Sequence, residues 1–283
     1  MSSMDQLSAR IAKGFIIAFL LLTIGSFYNL QAVMAAATAV PASTYSCVSP
    51  HCYGETSWTN KGKYTPVNGG GTSILVVHLS CPAPACSYAN QDFIDTEIWI
   101  KDVAHEAPSC PTYNAGCWVE EGVIALPNSS GSGTTVKYFW ADYRPGDSKL
   151  NYHDLGVVPS ADFGGQVSLY ISRTDSSNCS TSPRSGTFEV ELISNTLSLV
   201  NASQRNCMIP DDITIGQELQ GTNGASAPTA HYTSNRWVGT NGSINYQTSN
   251  ADTGLTNAPV QDQWFVLPSQ SSSGGDFGTW CTC

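Results

Sequence analysis

Cys117-Trp118-Val119-Glu120-Glu121-Gly122-Val123-Ile124-Ala125-Leu126 reads as a β-strand, and its reading decides the fold class. β-Branched and aromatic residues dominate it, and Gly, Pro, Asn and Ser clusters bound it. Side chains alternate across a strand. Trp118, Glu120, Gly122 and Ile124 therefore share one face, while Cys117, Val119, Glu121 and Val123 share the other. Carboxylates in mid-strand are costly unless they serve something, so Glu120, between a tryptophan and a glycine, is a candidate for chemistry. Glu121, on the Val/Cys face, reads as a hydrogen-bonded or edge residue.

The same pattern recurs outward in both directions. Further strands are expected over residues 73–80, 93–101, 135–143, 166–173, 187–193, 196–200, 213–219, 243–247 and 263–267. No stretch keeps helical i, i+3, i+4 spacing over three turns, and no internal repeat is visible. Such strands over about 210 residues suit one β-sandwich or barrel. Residues 38–70, with Pro41, Pro50, Pro66 and the start of the run Gly69-Gly70-Gly71, have no sustained period and read as a linker or short pro-segment. The domain proper is expected over 71–283, with 269–275 as a flexible loop.

The N-terminus reads as an export signal. Arg10 and Lys13 precede the apolar run of residues 14–27, and the small residues Ala35-Ala36-Ala37-Thr38-Ala39 offer cleavage sites. That order marks a secretory signal peptide over 1–37, and its apolar core is shorter than the roughly 20 residues that span a bilayer. An uncleaved anchor is the alternative. All ten cysteines lie beyond the cleavage point. An even number in an exported chain reads as a disulfide framework, with 47–52, 81–86, 110–117 and 179–207 as the neighbour pairs and Cys281 and Cys283 stapling the end. No CxxC spacing occurs, so no structural metal is expected. The formal net charge is −10; losing Asp5, Arg10 and Lys13 with the signal leaves 21 acidic and 10 basic residues, or −11. Such a surface repels nucleic acid and anionic membrane. The expected product is a secreted, extracellular monomer.

A second strand carries a placed carboxylate. In Ile213-Thr214-Ile215-Gly216-Gln217-Glu218-Leu219-Gln220, the apolar face holds Ile213, Ile215, Gln217 and Leu219. Thr214, Gly216, Glu218 and Gln220 form the polar face, so Glu218 projects beside a small residue, as on the concave side of a sandwich.

Three segments in order then carry a resemblance: Ile98-Trp99-Ile100-Lys101-Asp102, Trp118-Val119-Glu120-Glu121-Gly122, and Trp140-Ala141-Asp142-Tyr143-Arg144-Pro145. Together with the later Ile215-Gly216-Gln217-Glu218-Leu219, they resemble the motif series of the glutamic peptidases, fungal eqolisins and plant neprosin-type enzymes, over residues 95–220. The resemblance implies a concanavalin-like antiparallel β-sandwich of jelly-roll type, with Glu120 and Glu218 as the catalytic pair. Glu120 stands where eqolisins have glutamine; the neprosin type pairs two glutamates. Two close carboxyls cannot both ionise readily, so they share a proton. Glu218 would then draw a proton from the attacking water, and protonated Glu120 would hydrogen-bond the developing oxyanion. Positioned proton transfer of this kind contributes about 10²–10⁴-fold, and the pair favours acid. Trp99, Trp118, Trp140 and Tyr143 would line the substrate cleft and Asp142 would orient a neighbour. The substrate is a polypeptide, and no cofactor is required.

Two other readings remain open. A carboxyl pair flanked by Trp118, Trp140, Tyr138 and Tyr143 could cleave glycosides, with separations of about 5–5.5 Å for retention or about 6.5–9.5 Å for inversion. A non-catalytic sandwich could bind glycan or protein, with no need for paired glutamates. Other chemistries lack their residues. GxSxG, HExxH, P-loop and dinucleotide fingerprints are absent, and His153 with Asp154 has no nominated nucleophile.

Overall fold

The alternation of residues 117–126 continues on both sides in space. A computed structural model describes residues 40–41, 51–58, 66–81, 83, 86–102, 117–131, 133–175, 187–204, 208–220, 227–246, 264–267 and 276–281. All of them belong to the unit 39–283. The strands are β1 (Val40–Pro41), β2 (His51–Trp58), β3 (Val67–Leu75), β4 (Phe93–Asp102), β5 (Cys117–Pro127), β6 (Thr134–Tyr143), β7 (Asn151–Val157), β8 (Gln166–Asp175), β9 (Thr187–Ile193), β10 (Ser198–Gln204), β11 (Asp212–Gln220), β12 (Ala227–Gly239), β13 (Ile244–Tyr246), β14 (Trp264–Leu267) and β15 (Phe277–Cys281). No helix occurs among the described residues.

Two antiparallel sheets form a sandwich. One runs β2-β11-β4-β5-β6-β7; the other runs β1-β14-β15-β12-β3-β8-β9-β10, with β13 paired to β12. Between them lie Ile94, Ile98, Ile100, Val119, Val123, Ile213, Ile215 and Leu219 from the first sheet, facing Ile74, Leu169, Ile171, Phe188, Val190 and Leu192 of the second. Burying each such side chain stabilises the fold by about 1.5–3 kcal/mol. A one-residue slip would turn each strand inside out, and polar ties hold the register. Gln217 points inward, donating to Thr96 Oγ1 at 3.2 Å and accepting from Thr279 Oγ1 of β15 at 2.8 Å. Its neighbour Glu218 is thereby turned to the outer face.

Five strands lie where none was expected, the two-residue β1 (Val40–Pro41), which pairs with β14, among them. His51–Trp58, within the stretch read as a linker, forms β2 and pairs with β11 from Trp58↔Ile213 to His51↔Gln220. Strands β7, β12 and β15 complete the set. The run Gly69-Gly70-Gly71 belongs to β3, because a Cβ at Gly69 would sit 2.2 Å from the Ile171 carbonyl oxygen of β8. Cys81 and Cys86 are bonded across a Cα–Cα distance of 5.3 Å, and Cys117 is also in a disulfide. The signal segment, the 47–52, 110–117 and 179–207 pairings, the C-terminal cysteine staple and the loop 269–275 lie wholly or partly outside the described residues.

Candidate active site

The outer face of the first sheet gathers carboxyls from three adjacent strands. On β4 the alternation places Asp95, Glu97, Trp99 and Lys101 in one row. On β5 Glu120 pairs with Trp99 and Gly122 with Glu97; on β11 Thr214 pairs with Trp99 and Gly216 with Glu97. Glu218 follows two residues after Gly216, and its backbone N–H donates to Asp95 Oδ1 at 3.0 Å. Asp95, Glu97 and Glu218 are buried, and each presents an oxygen within 4.8 Å of the others. Oxygens that close can share protons or a hard divalent cation.

Position 122 accepts only glycine sterically. A Cβ there would lie 2.3 Å from the Thr96 carbonyl oxygen and 2.8 Å from Glu97 Cβ. Close approach of β4 and β5 is therefore built into the strand that carries Glu120.

Burial and mutual repulsion govern the protonation of this cup. Burial pushes Glu120 up to about 8, with the charge of Glu218 adding to the effect; interactions with the indole N–H groups of Trp99 and Trp118 act in the other direction. Burial likewise holds Asp95 and Glu97 well above the usual carboxylate range, and each is raised further by its acidic neighbours. Neutral carboxyls result where the lone strand pattern would suggest anions.

Trp99, Trp118 and Tyr143 share this face with Glu120. The rings of Trp118 and Tyr143 stack at 4.9 Å between centroids, both half-buried, and the Tyr143 hydroxyl donates to the Asp147 carbonyl at 2.9 Å. Lys101 Nζ lies 5.2 Å from the Trp99 ring and 3.3 Å from Asp212. Trp140 and Asp142 are on the opposite face, between the sheets, because they alternate with Ala141, which pairs with Glu120. Trp140 stacks on His153 at 3.8 Å. Asp142 is fully buried, receiving Arg144 Nε at 2.6 Å and the Ser203 hydroxyl from the second sheet. Tyr138 also points inward and donates to Asp162 at 2.9 Å. Asp154 is held by Lys137, which leaves the His153-Asp154 pair in structural roles.

Asp95 and Glu97 are the site residues that reading by motif passes over. The signal for them was the spacing Asp95-x-Glu97-x-Trp99 in a strand already recognised, which puts both acids on the face of Trp99. Glu121 faces the sandwich interior with no exposure, and neither carboxyl oxygen has a hydrogen-bond partner of good geometry among the described residues.

No protein-family model and no curated protein matches the chain. Among solved structures it has a distant likeness to SCP-B, a member of the eqolisin family of peptidases, in a complex with the tripeptide Ala-Ile-His. Identity is 10% and the TM-score 0.46, over 81% of this chain and 96% of that one. At that distance the chemistry of the site has to be read from its own residues.

Proposed function

We propose that the chain is an exported endopeptidase that hydrolyses polypeptides with Glu218 as general base and Glu120 as neutral partner of the oxyanion. The observation that carries this is the outer face of the first sheet, which carries both Glu218 and a Glu120 that burial, with the charge of Glu218 adding to it, keeps protonated up to about pH 8. A base and an acid of the same residue type, separated by environment, are what hydrolysis near neutral or acid pH requires. Glu218 takes a proton from water as the water attacks the peptide carbonyl. Glu120 donates a hydrogen bond to the oxygen on which charge develops, and Glu218 then returns its proton to the departing amine. Trp99, Trp118 and Tyr143 supply an apolar wall, while Trp140 and Asp142 brace β6 from behind. The ordered motif series supports a peptide substrate. The Cys81–Cys86 bond supports an oxidising compartment, as does the N-terminal apolar run.

The test is cleavage of denatured casein by the mature protein, scanned from strongly acidic pH to about pH 9, with inhibitors of serine, cysteine, metal and pepsin-type peptidases present. Cleavage that survives all four and is lost above about pH 8 is expected. Loss with a chelator would assign the cup to a cation instead. The stacked Trp118–Tyr143 pair also suits a sugar ring, so polysaccharide hydrolysis without casein cleavage would favour a glycosidase.

A further inference from the structure

Glu120 and Glu218 stand on strands that do not touch. β4 runs between β5 and β11, so two strand spacings, about 10 Å, separate their backbones. They are also offset along the sheet, Glu120 opposite Trp99 and Glu218 beside Asp95. A directly shared proton is therefore not a property of the backbone frame, and something has to join them.

Glu97 occupies the midpoint of that diagonal. It pairs with Gly122 on one side and with Gly216 on the other. Glu120 is two residues from Gly122 and Glu218 two from Gly216, which makes Glu97 the diagonal neighbour of both. Diagonal positions lie within reach of long side chains. The two directly opposite positions are glycines and carry no side chain. Glu97 is 1% exposed; neither oxygen has a hydrogen-bond partner of good geometry among the described residues, and Asp95 on its own strand interacts with it as a looser polar partner. A buried carboxyl held so loosely is the exception in a folded protein. One of those oxygens lies within 4.8 Å of Glu218.

We propose that Glu97 is the positioning residue that couples the two halves of the site: a neutral carboxyl that donates its O–H to the Glu218 carboxylate and accepts from the Glu120 O–H. A carboxylic acid has one donor and one free acceptor oxygen, which matches one ionised and one protonated neighbour. The arrangement orients the Glu218 carboxylate and favours the neutral form of Glu120 at once. The titratable groups that act on Glu97 are Asp95 on its own strand, Glu120 from β5 and Glu218 from β11; Tyr232 of β12 faces it through the sheet. The inference rests on the dyad reading above, but its test does not need activity.

The side-chain carboxyls of ¹³C-glutamate-labelled protein are followed by NMR from acid to alkaline pH, with resonances assigned by the Glu120→Gln and Glu218→Gln variants. Glu97→Met removes donor and acceptor at similar volume, whereas Glu97→Gln keeps one of each. In Glu97→Met the Glu120 midpoint is expected to move down. In Glu97→Gln it is expected to stay at the wild-type value. An unchanged Glu120 midpoint in Glu97→Met, or equal displacement in both variants, would overturn the coupling role. Should Glu97→Met fail to fold, Glu97→Val takes its place; a displaced Glu120 midpoint in Glu97→Gln alone already counts against the proposal. Casein cleavage lost at wild type, with the NMR coupling intact, would refute the peptidase and leave the carboxyl chain standing.

Discussion

Glu218→Gln is expected to lower kcat for peptide hydrolysis by about 10²–10⁴-fold, the range for a positioned base, while peptide binding stays within about twofold. Glutamine is isosteric with glutamate, so the backbone bond from residue 218 to Asp95 at 3.0 Å and the tie of Gln217 to Thr96 and Thr279 are retained. What is lost is the ability to take a proton from water. Steady-state kinetics on an internally quenched peptide, with affinity for an uncleaved analogue measured in parallel, separates this from a binding defect. Activity within a few fold of wild type would remove Glu218 from the mechanism.

Thermal stability is expected to peak at acid pH and fall toward neutrality, where the net charge of −10 adds self-repulsion. Asp95, Glu97, Glu120 and Glu121 all have folded-state pKa values raised by burial above their unfolded values. A group of that kind stabilises fully below its unfolded pKa and loses its contribution as pH rises through the folded one. For Glu120 the interval runs from 4.5 to about 8. At about 1.4 kcal/mol per pH unit, the loss by pH 7 is about 3 kcal/mol, and solvent that reaches Glu120 makes this an upper figure. The opposite limb is set by Asp162, which burial would raise but which the hydroxyls of Ser194, Thr196 and Tyr138 hold below 3.8, and by Asp154, lowered chiefly by its bond from Lys137. Their contributions vanish as pH falls below that value, so the maximum falls near pH 4. Each kcal/mol moves the melting temperature by about 2–4 °C in a domain of this size. Glu121 lies in the interior, away from the proposed chemistry, and isolates the effect. Glu121→Gln should melt higher than wild type at pH 7 and match it at pH 4. Parallel curves at both pH values would show that Glu121 does not titrate on unfolding.

Much of this was legible from alternation alone. Residues 117–126 and 213–219 are strands, and their two-residue period places Glu120 and Glu218 on the outer face and Glu121 and Gln217 on the inner one. The same period, applied to 93–101, would have revealed Asp95 and Glu97, but attention to Trp99 as the motif residue hid the acids beside it. Glu121 looked like an edge residue because a lone carboxylate is rarely placed in a core; here the whole sheet pair closes over it. Other strands escaped for reasons of composition. In β7, Asn151-Tyr152-His153-Asp154-Leu155-Gly156-Val157 is an edge strand with little apolar alternation, broken by Gly156 at φ 105°. In β12, shifts of register between Thr233 and Arg236, with Ser234 at φ 55°, blur the period. Trp140 and Asp142 show the limit of motif reading. Their positions in the chain suited a cleft, yet a face is decided by the partner strand, and the pairing of Ala141 with Glu120 turned both inward.

The most direct test of the account is the pH profile of kcat/KM for wild type against Glu120→Gln. An oxyanion partner needs a donor, and glutamine supplies an N–H that no rise in pH removes. The account predicts a wild-type profile that falls near pH 8 as Glu120 ionises, and a variant that keeps hydrolysis with no alkaline fall. The same fall in the variant, or a variant as inactive as Glu218→Gln, would contradict it.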